Sequence, residues 1–195
     1  DRNPRSVEEL DCLYEKDYGV TRRDMNRVFL RNVDRSVNIL EVGANIGLQL
    51  ETLRRMGFQN LFGVEINGYA VSQAKKLHPH VDVIHGSAFD LPFRDGSFDL
   101  VFTSGVLIHI SPADLERAVN EIYRVSRNYI WGFEYFSPEP AEVSYRGNED
   151  LLWKRDFAEL YLTKFPTLRS VKEKKFKLLG SESVSQMFLL EKRKN

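Results

Sequence analysis

Residues 37–56 read VNILEVGANIGLQLETLRRM, and their pattern decides the fold. The first six, VNILEV, are short, apolar and β-branched-rich, as a buried strand requires. The period then changes. Ile46, Leu48, Leu50 and Leu53 recur on helical spacing over residues 46–56, and Gly57 follows as a stop. A strand, a glycine-bearing turn and a helix in that order begin a βαβ unit.

The alternation continues downstream. LFGVE (61–65), VDVIH (81–85), SFDLVFTS (97–104) and YIWGFEYF (129–136) read as strands, and residues 68–78 and 111–125 as helices. In the last helix Ser111 stands as N-cap, Pro112 as the first helical residue and Asp114 as reciprocal capping partner. Leu115, Ala118, Val119 and Ile122 then form one apolar face. Strands alternating with helices imply right-handed crossovers and a parallel sheet covered on both faces. Residues 155–165 read as a helix. SVKEKKFKLL and SQMFLLEK follow as two strands joined by GSES, a hairpin connection.

The expected fold is therefore α/β: a doubly wound, mostly parallel, seven-stranded Rossmann-like sheet ending in an antiparallel C-terminal hairpin, with helices on both faces. The length of 195 residues fits a single domain. Within it, residues 1–34 read as a cap of two short helices lying over the sheet. Residues 35–134 read as a cofactor-binding core, and 135–195 as a substrate-side segment with the hairpin.

Composition narrows the function. Lys plus Arg is 28 and Asp plus Glu is 28, so the formal net charge is zero. Affinity for nucleic acid comes largely from basic neutralisation of phosphates, so no nucleic-acid partner is expected. The basic EKRKN at the end reads as a solvated tail. The single cysteine, Cys12, excludes an intrachain disulfide and a cysteine zinc cluster, and suits a reducing cytoplasm. No run of 18 apolar residues and no signal-peptide pattern is present, so no membrane partner is expected. No His pair has metal-site spacing with acids nearby, so no metal is expected. His78 and His80 read as surface residues, and His85 as a packing or hydrogen-bonding residue.

Open α/β sheets bind ligands beyond the carboxyl ends of their strands. The residues there are Glu41, Gly43, Asn45 and Gly47 after the first strand, and Glu65 and Ile66 after the second. Ser87 and Ala88 follow the third strand, and Thr103 and Ser104 end the fourth. Gly43 permits a tight turn and close approach of a ligand. The N–H groups at Ile46 and Gly47 open a helix and offer positive charge to an anion. Glu41 beside them would repel a pyrophosphate. A zwitterion resolves the conflict: the acid takes an ammonium while the loop takes a carboxylate. S-adenosylmethionine carries that amino-acid head, and S-adenosylhomocysteine would be the product. Glu65 lies near the spacing at which an acid receives ribose hydroxyls. Ile66 is placed to lie on the adenine, with Ser87 and Ala88 at its edge. Thr103 and Ser104 lead the chain past the sulfonium end.

In these motifs the chain resembles the class I S-adenosylmethionine-dependent methyltransferases. The matching residues are Glu41, Gly43 and Gly47, then Glu65, GSAFDLPFRDGSFDLV and LIHI, in order over residues 37–134. Asn45 stands where many of that family have a further glycine, and Ser87 where many have Asp. A finer resemblance, in EYFSPEPAEVSYRG (134–147) and LLWKRDFA (151–158), is to the methylases associated with pseudaminic acid biosynthesis. That resemblance implies a small sugar or sugar-derived acceptor, methylated on oxygen or nitrogen. It also implies a substrate lid carrying Tyr145, Arg146 and Lys154, and a cofactor cover carrying Tyr18, Arg22 and Arg23.

His109 follows the fourth strand and is the first candidate for a general base. Glu134 is the second. Glu134 and Tyr135 end the fifth strand, where a carboxylate and a phenol suit a polyhydroxylated or amino-bearing acceptor. Two rival functions bear on the same sheet. A nicotinamide-dependent oxidoreductase or epimerase would prefer G-x-G-x-x-G, whereas Gly43 and Gly47 are separated by three residues and no Tyr-x-x-x-Lys pair occurs. A non-catalytic binding module would leave the cofactor motifs without purpose.

Overall fold

The computed structural model describes residues 4–144, 147 and 150–193. Two helices come first, α1 (Val7–Tyr18) and α2 (Arg22–Leu30). Strand and helix then alternate as β1 (Asn38–Val42), α3 (Leu48–Arg55), β2 (Asn60–Glu65), α4 (Gly68–Leu77), β3 (Asp82–His85) and β4 (Phe98–Ser104). A 3-10 turn over Leu107–His109 precedes α5 (Pro112–Val125) and β5 (Ser126–Phe136). A two-residue ladder follows, β6 (Ala141–Glu142) with β7 (Trp153–Lys154). The chain ends in α6 (Phe157–Lys164), β8 (Leu168–Lys177) and β9 (Val184–Lys192).

Seven strands form one sheet in the order β3-β2-β1-β4-β5-β9-β8. The first five are mutually parallel, and β9 is antiparallel to both β5 and β8. The expected Rossmann-like sheet with its terminal hairpin is what the chain adopts. Strand order reverses between β1 and β4, so ligand space is expected at their carboxyl ends.

Side-chain alternation explains why both faces are covered. Along each central strand successive residues point to opposite faces. Leu40, Val101, Ile130 and Phe188 pack on one side with Leu115, Ala118, Val119 and Ile122 of α5 and Phe157 and Tyr161 of α6. Ile39, Leu100, Trp131 and Leu189 pack on the other with Met25 and Phe29 of α2, Leu50 and Leu53 of α3, and Val71 and Ala74 of α4. Burying one such side chain contributes roughly 1.5–3 kcal/mol.

Three departures from the sequence reading at helix starts have a local reason. Helix α3 begins at Leu48 rather than Ile46, because Gly47 takes a left-handed φ of 78° as its N-cap. Helix α6 begins at Phe157, because Asp156 caps it by accepting the Glu159 N–H. At α5 the Ser111 hydroxyl accepts the Asp114 N–H as expected, but Asp114 answers by accepting that hydroxyl rather than a backbone N–H. The 3-10 turn and the β6–β7 ladder have no periodic signature in the sequence. Among the described residues no helix is long and apolar enough to cross a membrane.

Candidate active site

A cavity of about 900 Å³ opens at the switch point between β1 and β4. Its walls come from the ends of β1 and β2, the loops after β3 and β4, and the inner face of α1 with Leu10, Leu13 and Tyr14. Among the sequence-predicted residues, Glu41, Gly43, Asn45, Glu65, Ile66, Ser87, Ala88, Ser104 and His109 all line it.

The loop after β1 is built by backbone bonds. Gly43 has φ 78°, and its N–H and that of Ala44 both donate to the Val64 carbonyl, at 2.8 and 3.0 Å. Asn45 is left-handed at φ 50° and donates its N–H to Glu65 Oε2 at 2.8 Å. The other oxygen of Glu65 accepts the Asn67 N–H at 2.8 Å. One carboxylate thus ties two loops together while still lining the cavity.

Gly47 corrects the sequence reading. It is not among the lining residues, and its N–H donates to the Ala44 carbonyl at 2.8 Å. Its role here is packing: a Cβ there would lie 3.3 Å from Val81 Cγ2, and its φ is left-handed. It offers no N–H to an anion.

Glu41 is 2% exposed, and its Oε2 has no hydrogen-bond partner among the described residues. Burial pushes its pKa well above the usual carboxylate range; Arg22 opposes this and Glu65 adds to it. A buried acceptor left unsatisfied costs about 1–3 kcal/mol. An ammonium group in the cavity would relieve that cost. The donor set therefore fits the amino-acid head of S-adenosylmethionine.

On the adenine side, Ile66 is 67% exposed. Its carbonyl is 2.9 Å from His85 Nε2, which must carry the proton, since a carbonyl only accepts. Ser87 accepts the Phe89 N–H on its hydroxyl at 3.2 Å and forms a bridge with Asp90. Ser104 lines the cavity, but Thr103 does not. Thr103 is buried and hydrogen-bonds Glu134 instead.

Glu134 is a second correction. It is fully buried and absent from the cavity wall. Its carboxylate accepts the Val106 N–H at 3.0 and 3.2 Å, and further bonds from Leu107, Ile108 and Thr103. Burial pushes its pKa up to about 7, against the pull of those bonds. The group is spent on fixing the 3-10 turn, so it is a positioning residue and not a base facing an acceptor. Tyr135 and Lys154 also stand off the cavity wall. The Lys154 ammonium lies 5.5 Å from the Tyr135 ring centroid and donates to Ser183 at 3.2 Å. The other two residues expected in the lid, Tyr145 and Arg146, lie outside the described residues.

His109 sits on the 3-10 turn that Glu134 holds, and it is exposed to the cavity. Its Nδ1 is 2.9 Å from the Leu151 carbonyl. A carbonyl only accepts, so Nδ1 bears a proton and donates it to Leu151. Among the described residues no cluster of three or more His, Cys, Asp or Glu could hold a metal ion.

Tyr14, Gln49 and Val106 are among the lining residues that had no role in the sequence reading. The helical spacing of Val7, Leu10 and Tyr14 signals an apolar face without saying what it covers. The contact of Val106 with Gly43 spans 63 residues and leaves no local trace.

Residues 40–129 match the family model described as a methyltransferase domain. An uncharacterized methyltransferase of Synechocystis is 38% identical over 63 residues, which are 32% of this chain and 30% of that protein. A putative methyltransferase of Encephalitozoon cuniculi is 26% identical over 96% of this chain and 81% of its own length. Among solved structures, the 1,6-didemethyltoxoflavin-N1-methyltransferase of Burkholderia thailandensis, with bound 1,6-didemethyltoxoflavin and S-adenosylhomocysteine, superposes with a TM-score of 0.71 at 15% identity. That match covers 88% of this chain and 78% of the other. The motifs, the sheet order and these likenesses agree: residues 40–129 match a methyltransferase domain, the sheet is that of the Rossmann-like methyltransferases, and the cofactor is S-adenosylmethionine.

Proposed function

We propose that the chain transfers a methyl group to an oxygen or nitrogen of a small acceptor, a sugar or sugar-derived metabolite. The observation that carries the cofactor half is the pair Glu41 and Glu65 flanking the Gly43 turn in one cavity. In this reading Glu41 takes the ammonium of the methionine head and Glu65 the ribose hydroxyls. Ile66 covers one adenine face, and Ser87 and Ala88 meet its edge. Asn45, Gly43 and Ser104 shape the wall around the methionine chain.

The sulfonium supplies an electrophilic methyl group when bound. The chain's task is alignment, which is worth several kcal/mol when acceptor and methyl are held in line. His109, exposed on the cavity wall, would take the proton of an acceptor that must lose one. The Leu151 carbonyl orients the His109 ring, and Glu134 fixes the turn that carries it.

Two observations support a small acceptor: α1 roofs the cavity, and the formal net charge is zero. Both disfavour nucleic acid and membrane. The nonulosonic character of the sugar rests on the resemblance of residues 134–147 and 151–158. The whole is read as one domain: residues 1–34 the cap, 35–134 the core, 135–195 the substrate side. A single exposed thiol, Cys12, suits the cytoplasm.

The test is a methylation assay with labelled S-adenosylmethionine against amino and nonulosonic sugars beside phenols, amines and an oligonucleotide. Label on a sugar, lost in His109→Ala, is expected. Turnover on the oligonucleotide alone would overturn the small-acceptor reading.

A further inference from the structure

Arg22 is a costly residue. It is 0% exposed and opens α2, where the helix dipole disfavours a cation. Its guanidinium carbon lies 4.6, 5.2 and 5.5 Å from the ring centroids of Phe133, Tyr14 and Trp131. Among the described residues its hydrogen bonds go to two neutral groups: Nε to Gln49 Oε1 at 3.2 Å and Nη1 to the Tyr14 hydroxyl at 3.3 Å. A buried cation without a hydrogen-bonded counter-ion is strongly destabilising.

These two bonds fix what the partners can offer a ligand. Arg22 Nε only donates, so the Gln49 amide turns its oxygen towards Arg22 and its NH2 group away. Among the described residues Gln49 Nε2 makes no hydrogen bond, and Gln49 lines the cavity. Arg22 Nη1 also only donates, so the Tyr14 oxygen accepts and keeps its own proton to give. Tyr14 lines the same cavity, and both side chains are half-buried. A charged donor on each oxygen polarises the amide and the hydroxyl, which strengthens the hydrogens they present.

Their place in the fold says which part of a ligand they meet. Gln49 stands in the first turn of α3, directly after the Gly43–Gly47 turn. The Tyr14 ring centroid is 5.5 Å from that of Phe133 on β5, and Phe133 pairs with Ser104 at the end of β4. Both residues therefore belong to the side of the cavity built on β1, β4 and β5, which is the side of Glu41. Ile66 and Ser87 stand beyond β2 and β3. The turn itself has little left for an anion: the N–H groups of Gly43, Ala44, Asn45 and Gly47 are all taken within the protein. An amino-acid head with its ammonium on Glu41 still needs a partner for its carboxylate.

We infer that Gln49 and Tyr14, seated by Arg22, bind the carboxylate of the methionine head. The inference rests on the reading of the cavity as the S-adenosylmethionine site. It gives the buried cation an anionic partner one side chain away. Arg22 is a positioning residue: it orients the two donors and does not itself line the cavity. It also joins cap to core, because Tyr14 comes from α1, Arg22 from α2 and Gln49 from α3.

The test is calorimetric titration with S-adenosylmethionine and with decarboxylated S-adenosylmethionine, which keeps the ammonium and the sulfonium and lacks only the carboxylate. Wild type is expected to prefer the complete cofactor by about tenfold or more. Gln49→Glu keeps an oxygen for Arg22 Nε but replaces the N–H donors by a second acceptor, so the preference is expected to vanish or reverse. Tyr14→Phe is expected to lower it by about threefold to tenfold, with affinity for the decarboxylated ligand nearly unchanged. Arg22→Lys, whose ammonium cannot fork to both partners, is expected to lower the same ratio. Equal affinity of wild type for the two ligands would overturn the inference. So would a Gln49→Glu protein that keeps the wild-type ratio, whether at full or at uniformly weakened affinity. If Gln49→Glu does not fold, Gln49→Met is read by the same rule. Binding of neither ligand by folded wild-type protein would sink the cofactor reading itself, a result distinct from binding without discrimination.

Discussion

Gly43 and Val106 stand so close that a Cβ on Gly43 would lie 2.4 Å from Val106 Cγ2. The turn after β1 and the turn after β4 therefore share one wall, and only glycine allows it. Gly43 is also left-handed, at φ 78°. Gly43→Ala is expected to lose about 1–3 kcal/mol of stability from strain alone. It should also push Val106 and the His109 turn outward, weakening S-adenosylhomocysteine binding. Denaturant titration beside calorimetry checks both; an alanine variant with wild-type stability and affinity would show that the close approach is not required.

Glu134 is the buried anchor of that same turn, and its titration gives a pH signature. Its pKa rises from the ordinary 4.5 to about 7 on folding. The folded state therefore binds the extra proton, and stability falls as pH rises between those values. The full effect is about 3 kcal/mol at most. Urea midpoints at pH 4.5 and pH 7.5 should show this loss in wild type and a smaller one in Glu134→Gln. An identical slope in both proteins would mean that Glu134 does not carry it.

His109→Ala is expected to cut turnover by about 10²–10⁴ with an acceptor that must lose a proton. Its affinity for S-adenosylhomocysteine should stay within about threefold, since the cofactor groups lie elsewhere on the wall. Near-normal turnover with the true acceptor would remove His109 from the chemistry and leave it as a latch to Leu151.

Much of this was written locally. The strand and helix alternation from residue 37 to 134 is periodic, so its order and the hairpin were legible in the chain. The cofactor side of the cavity was legible for the same reason: Glu41, Gly43 and Glu65 follow directly on strand ends. Glu134 looked like a base because it ends a strand on the functional edge. Its partners, Val106 to Ile108, come from a turn about 28 residues earlier, and no local pattern shows that they consume the carboxylate. Lys154 looked like a substrate contact, yet its hydroxyl partner Ser183 lies 29 residues later. Arg22 carried only a family hint, because its cost is visible only once it is buried.

The whole reading turns on the Glu41–Gly43–Glu65 cavity as the seat of S-adenosylmethionine. Its most direct test is calorimetric titration of the purified protein with S-adenosylhomocysteine, beside Glu65→Ala. Micromolar binding in wild type, weakened by about tenfold or more in the variant, is predicted. That loss would follow from unpaired ribose hydroxyls and from the Asn45 and Asn67 N–H groups left without their acceptor. Equal binding by both folded proteins, or none by wild type, would contradict the account.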